Sequence, residues 1–86
     1  MKDEWCVYML RCSDDTLYTG VTNNIEKRVE AHNTGPTGAK YTKARRPVTL
    51  VYQEGPLTRS EALKREAVLR KLPRATKLAL SKTVDK

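Results

Sequence analysis

Eighty-six residues make one small domain, with no length for a second core or a linker-joined pair. Seventeen Lys and Arg against ten Asp and Glu leave a net charge of +7, which points to a polyanionic partner, most simply nucleic acid. Two Cys cannot build a disulfide scaffold, and no apolar run approaches the roughly 20 residues needed to cross a bilayer. Met1-Lys2-Asp3-Glu4 lacks the apolar region of a signal peptide, so a cytoplasmic protein with reduced thiols is expected.

Trp5 to Arg11 (WCVYMLR) is a short apolar run rich in aromatic and β-branched residues. The polar Ser13-Asp14-Asp15 behind it predicts a strand that ends in a turn. Thr16 to Thr22 (TLYTGVT) is placed to pair antiparallel with it as a hairpin. Gly20 interrupts this second segment, which predicts a bend or a close approach by another group. Strand parity puts Cys6, Tyr8 and Leu10 on one face and Val7 and Met9 on the other. With a turn of four to five residues near Asp14, Tyr8 and Tyr18 become near-partners across the ladder.

Asn23 or Asn24 is placed to cap a helix from Ile25 to about Asn33, which Gly35-Pro36 ends. The stretch from Thr34 to Arg46 has no clear period and reads as an ordered loop with scope for a helical turn. Pro47 introduces a third strand, Val48 to Gln53, broken by Gly55-Pro56. Thr58-Arg59-Ser60-Glu61 matches a capping box and opens a helix running through Leu63, Ala67 and Leu69 to Leu72. Pro73 stops it and opens a final helix over Arg74 to Ser81, after which Thr83 to Lys86 are expected to fray. The order is β-β-α-β-α-α, an α+β fold with helices packed on one three-stranded antiparallel-type sheet. It is expected to form a single domain over residues 1–86, with its core at about 5–80.

Arg28 and His32 are four apart and share a helix face beside the stripe of Ile25 and Val29. They form either the basic flank of an amphipathic helix or, facing a sheet edge with two tyrosines, a phosphate site. Tyr8 and Tyr18 have a similar pair of readings, as rim residues of a small sheet or as parts of that site. Cys6-Val7-Tyr8, followed by Tyr18-Thr19-Gly20, resembles the paired tripeptides of the GIY-YIG nuclease superfamily. The resemblance continues through Asn24, Arg28, His32, Gly38-Ala39-Lys40-Tyr41-Thr42 and Arg46-Pro47-Val48 to the helix holding Glu61 and Glu66. It spans Trp5 to about Leu80 and is nearest to the small stand-alone bacterial members.

That resemblance implies the GIY-YIG fold and a catalytic set of Tyr8, Tyr18, Arg28, His32 and Glu66. In it, Arg28 contacts the scissile phosphate and Glu66 holds a single divalent metal, Mg²⁺ or Mn²⁺. Glu66 rather than Glu61 is the match, and local physics agrees, because Glu61 is committed to the capping box. A tyrosine serving as base at pH 7–8 needs its pKa of about 10 lowered by roughly two units, near ~3 kcal/mol. Arg28 and a cation push in that direction. The base is a tyrosine or His32, with Tyr8 favoured and Tyr18 orienting the water. Lys40, Tyr41, Lys43, Arg45 and Arg46 after the first helix, with Lys71 and Arg74 near the end, are the expected nucleic-acid contacts. Lys64, Arg65, Arg70 and Lys77 add to the basic surface of the C-terminal helices.

Two departures from the family pattern stand out. Val21 follows the second tripeptide where the incision subunit of bacterial excision repair has a lysine, and no Asn follows Asn33. The leading function is a metal-dependent DNA endonuclease-type domain with little sequence specificity, and the main alternative is a nucleic-acid-binding module that cleaves weakly or not at all; a protein-interaction adaptor fits the size but explains the charge poorly. DNA is the expected partner and RNA is not excluded.

Overall fold

The computed structural model describes residues 4–35 and 40–81. Three strands form one antiparallel sheet in the order β2-β1-β3: β1 (Trp5–Arg11), β2 (Leu17–Thr22) and β3 (Thr49–Leu57). Helix α1 (Ile25–Thr34) follows the hairpin, and a single helical turn, α2 (Lys40–Lys43), lies within the segment read from sequence as an ordered loop with scope for such a turn. Helices α3 (Arg59–Arg70) and α4 (Arg74–Ser81) follow β3. The architecture is the one expected.

The hairpin is closed by residues 12–16, where Cys12 N donates to Thr16 O and Asp15 N to Cys12 O, each at 2.9 Å. Asp15 takes a left-handed conformation, φ 68°, which short polar side chains tolerate better than most. Asn24 is the residue that caps α1: its side chain accepts from Lys27 N at 3.1 Å. Asn33, near the other end of α1, grips the chain entering β3. Its amide donates to Val48 O at 3.0 Å and accepts from Val48 N at 2.7 Å. The capping box of α3 is complete, with Thr58 and Glu61 exchanging both bonds at 3.0 Å.

Burial follows strand parity. Tyr8, Leu10 and Cys12 form one cluster with Val48, against which Tyr18, Ile25, Val29 and Leu50 pack. Helix α1 therefore covers the even face of β1. Val7 and Met9, both without exposed surface, alternate to the other face. There α3, in contact with both β1 and β2, supplies the cover, burying Ala62 and Leu69. Leu63 and Val68, by contrast, are 41% and 50% exposed, so the buried stripe of α3 runs through Ala62 and Leu69. Glu66 lies on that stripe, one turn beyond Ala62.

The expected break at Gly55-Pro56 is instead a bulge. Trp5 pairs with Leu57 but Val7 with Glu54, so β3 carries one extra residue there and continues to Leu57. A proline, lacking an N–H, is tolerated in a strand at such a place. Gly55 has no room for a side chain, since a Cβ would lie 2.9 Å from Trp5 O. No helix among the described residues is long and apolar enough to cross a membrane. Both cysteines are free thiols.

Candidate active site

Tyr8 and Tyr18 are not direct partners. Tyr8 pairs with Gly20 and Leu10 with Tyr18, which sets the two phenols diagonally on one face with ring centroids 6.4 Å apart. The close approach expected at Gly20 comes from Tyr8 itself: a Cβ on Gly20 would fall 2.6 Å from Tyr8 Oη. The glycine lets the phenol lie across β2 and reach α1.

Helix α1 meets it there with Arg28 and His32. Tyr8 Oη lies 2.9 Å from His32 Nε2, and Arg28 Nε donates to the same oxygen at 3.4 Å. The other ring nitrogen of His32, Nδ1, lies 2.7 Å from Thr42 Oγ1 on α2. Tyr18 stands edge-on to the imidazole at 5.1 Å between centroids and interacts electrostatically with the Arg28 guanidinium. Tyr8 is 1% exposed, and His32 and Thr42 not at all. Thr42 belongs to the Gly38-Ala39-Lys40-Tyr41-Thr42 segment that carries the family resemblance, but the sequence assigns it no role of its own.

Burial sets the protonation states. It pushes the Tyr8 phenol up to about 12, outweighing the opposing hydrogen bond from Arg28. Arg28 does push this phenol down, as expected, but desolvation of a phenolate at 1% exposure is the larger effect, so the net shift is upward. Burial also brings His32 down to about 4, with the charges of Arg28 and Arg46 adding to it. Both side chains are neutral at pH 7.

Glu66 approaches from the opposite side of the sheet. A concavity of about 310 Å³ is lined by Leu17, Tyr18, Thr19, Glu66, Arg70 and Lys77. Successive strand residues point to opposite faces, so a hollow touching all of 17–19 straddles the free edge of β2. Glu66, carried by α3 on the face opposite the two tyrosines, shares with Tyr18 the lining of this hollow at the strand edge. Its side chain is 20% exposed, and its ion pair with Arg70 is loose at 4.0 Å. Glu61, engaged in its cap, stays away from this hollow. Arg70 and Lys77, assigned from sequence only to a general basic surface, line the concavity beside Glu66.

The expected nucleic-acid contacts divide. Arg46 turns inward, donating through Nε to His32 O and through Nη2 to Ala31 O at 3.1 Å and Gly35 O at 2.6 Å. Its guanidinium fills the role of a C-terminal cap for α1, a structural duty that the sequence reading of it as a phosphate contact did not foresee. Arg45 pairs with Asp14 at 3.1 Å, and Arg74 donates to Asp15 O at 2.6 Å, so both brace the hairpin turn. Lys43 and Lys71 are exposed. The side chains of Lys40 and Tyr41 lie outside the described residues.

Among the described residues no three His, Cys, Asp or Glu side chains converge as a metal cluster. The donor set at the β2 edge is the Glu66 carboxylate. One carboxylate suits a hard divalent cation that completes its shell with water and substrate phosphate, and so fits an ion of the Mg²⁺ type.

The family model of the GIY-YIG catalytic domain matches residues 4–79. A UPF0213 protein of Syntrophus aciditrophicus is 60% identical over 76 residues, which cover 88% of this chain and 87% of that protein. The solution NMR structure of a UPF0213 protein from Bacillus halodurans superposes with a TM-score of 0.57 at 34% identity, covering 92% of this chain and 83% of that one. A solution NMR structure of a protein from E. faecalis gives a TM-score of 0.57 at 38% identity, covering 91% and 83%.

Proposed function

We propose that this chain, which belongs to the GIY-YIG family, is a metal-dependent endonuclease-type domain that hydrolyses DNA phosphodiester bonds with little sequence preference. Family membership implies a nuclease-type domain and a nucleic-acid substrate. The observation that carries the finer reading is the meeting of two groups at the β2 edge. Tyr8, Arg28 and His32 are joined by hydrogen bonds, and Tyr18 connects them to the hollow that holds Glu66.

Each side chain has a task that its surroundings support. Arg28 clamps a non-bridging phosphate oxygen and stabilises the charge that grows there. Tyr18, half-buried and beside both Arg28 and the hollow, orients the attacking water. Tyr8 takes a proton from that water as it gives its own to His32 Nε2, so the phenol need not exist as a phenolate beforehand. A phosphate seated on Arg28 offsets one of the charges holding His32 down, and so makes the imidazole a better acceptor as substrate binds. Glu66 would hold Mg²⁺ or Mn²⁺, whose contribution when bound is Lewis acidity at a phosphate oxygen. Arg70 and Lys77 extend the positive surface, with Lys71 beside Arg70, and the exposed Lys43 is a further phosphate contact. No base-edge reader is evident in this set, which favours contacts that position over contacts that specify.

A second reading, a nucleic-acid-binding module with weak or no cleavage, is favoured by one observation. In the free protein Tyr8 is held protonated and the neutral His32 imidazole is a weak proton acceptor. Labelled duplex, single-stranded and branched DNA, with an RNA control, incubated with Mg²⁺, Mn²⁺ or chelator distinguishes the two. Metal-dependent cutting supports the nuclease. Tight binding with intact strands under all conditions rejects it in favour of the module.

A further inference from the structure

We propose that Thr42 is a positioning residue of this site: its hydroxyl accepts the Nδ1–H of His32 and so holds Nε2 bare and aimed at Tyr8. The consequence for catalysis rests on the nuclease reading above; the choice of tautomer rests on geometry alone. A neutral imidazole has one N–H, and each ring nitrogen lies within hydrogen-bonding distance of a hydroxyl, 2.9 Å for Nε2 and 2.7 Å for Nδ1. Two arrangements therefore compete.

Arg28 breaks the tie. Its Nε–H already points into the Tyr8 oxygen. If Nε2 also carried a proton, that oxygen would accept twice, and its own O–H would have to turn away from both in a side chain 1% exposed. With the proton on Nδ1, donors and acceptors run in one direction: Arg28 to Tyr8, Tyr8 to His32, His32 to Thr42. Only in this arrangement can His32 take the proton of Tyr8. A base held in one tautomer by a third group is a general device for making a weak acceptor useful.

The scaffold suits the task. Helix α2 is only one turn, but Arg45 N closes on Thr42 O at 3.0 Å, and Ser13 N donates to Arg45 O at 2.9 Å. Thr42 is thereby tied to the hairpin that carries both tyrosines, and its side chain has no exposed surface.

The test begins with wild-type protein, uniformly ¹⁵N-labelled at pH 7, whose histidine tautomer is read from long-range ¹H–¹⁵N correlations. The expected result is a protonated Nδ1 and a bare Nε2; a protonated Nε2 overturns the proposal. Thr42→Val keeps the shape and removes the acceptor. It should mix the tautomers and lower kcat on plasmid DNA with Mg²⁺ by roughly 10–100-fold at unchanged KM, and Thr42→Ser should restore both. A Thr42→Val protein that keeps the Nδ1–H tautomer shows that Thr42 only packs, and the proposal is lost. If Thr42→Val does not fold, the wild-type and Thr42→Ser spectra decide. If wild-type protein cuts no DNA, the nuclease reading fails while the tautomer measurement still judges Thr42.

Discussion

Gly20 and Glu66 are the two residues whose substitution separates site geometry from simple stability. Tyr8 cannot yield to a methyl group on Gly20, because its hydroxyl is held by His32 and Arg28 and its ring lies in the core. Gly20→Ala should therefore cost about 1–3 kcal/mol by overpacking, read from urea unfolding. It should also lower cleavage in conditions where the variant is still fully folded, since the phenol must shift. Glu66 and Glu61 stand one turn and a residue apart on α3 with opposite duties. Glu66→Ala should abolish cleavage and leave DNA binding nearly intact, because losing a carboxylate relieves repulsion with phosphate. Glu61→Ala should instead cost about 1 kcal/mol of stability through the cap and leave chemistry alone. A folded Glu61 variant without activity, beside an active Glu66 variant, would mean the wrong glutamate has been assigned.

Among the elements, α1 depends most on a residue remote in sequence. Its last carbonyls, at Ala31, His32 and Gly35, receive the half-buried Arg46 guanidinium. Arg46→Ala should lower stability by about 2 kcal/mol, as hydrogen bonds from a charged donor do, while leaving the salt dependence of DNA binding unchanged. Lys71→Ala should do the reverse, sparing stability and reducing the salt slope by about 0.9. This contrast also marks what the sequence made legible. Caps and breakers are local chemistry, so Asn24, the Thr58–Glu61 box and Pro73 located the helices well. The motif glycine announced a close approach, and strand parity assigned the faces of β1. Arg46 looked like one more cation in a basic run, because nothing local says that its partners are the carbonyls of a helix some 15 residues earlier. Gly55-Pro56 read as a stop because a bulge is a property of two strands, visible only when the register of β1 against β3 is known. The protonation of Tyr8 escaped for the same reason: charge neighbours can be guessed from a motif, but burial belongs to the packed core.

At the scale of the molecule, the buried imidazole ties folding to pH. A single domain of this size has only about 5–10 kcal/mol of stability to lose. His32 has no exposed surface and is held down to about 4, against an ordinary 6.5 in the unfolded chain. Above pH 6.5 neither state takes the proton, and the contribution of the neutral, hydrogen-bonded imidazole is complete. Between 6.5 and 4 the unfolded chain binds a proton that the fold refuses, so stability must fall as the pH falls. The slope approaches 1.4 kcal/mol per pH unit and the loss reaches about 3 kcal/mol by pH 4. Asp14 works in a lower window. Hydrogen bonds from Thr16, and then the Arg45 charge, hold its carboxyl below the ordinary range, so its contribution persists until the carboxylates themselves protonate. The interval from 6.5 to 4.5 therefore reports chiefly on His32. Urea titrations across that interval at fixed ionic strength should show a falling midpoint for the wild type and a nearly level one for His32→Asn, whatever that variant's stability at pH 7. A wild-type midpoint that stays level, or a variant that falls just as steeply, would mean that the imidazole is not neutral and buried as the Tyr8–His32–Thr42 chain requires.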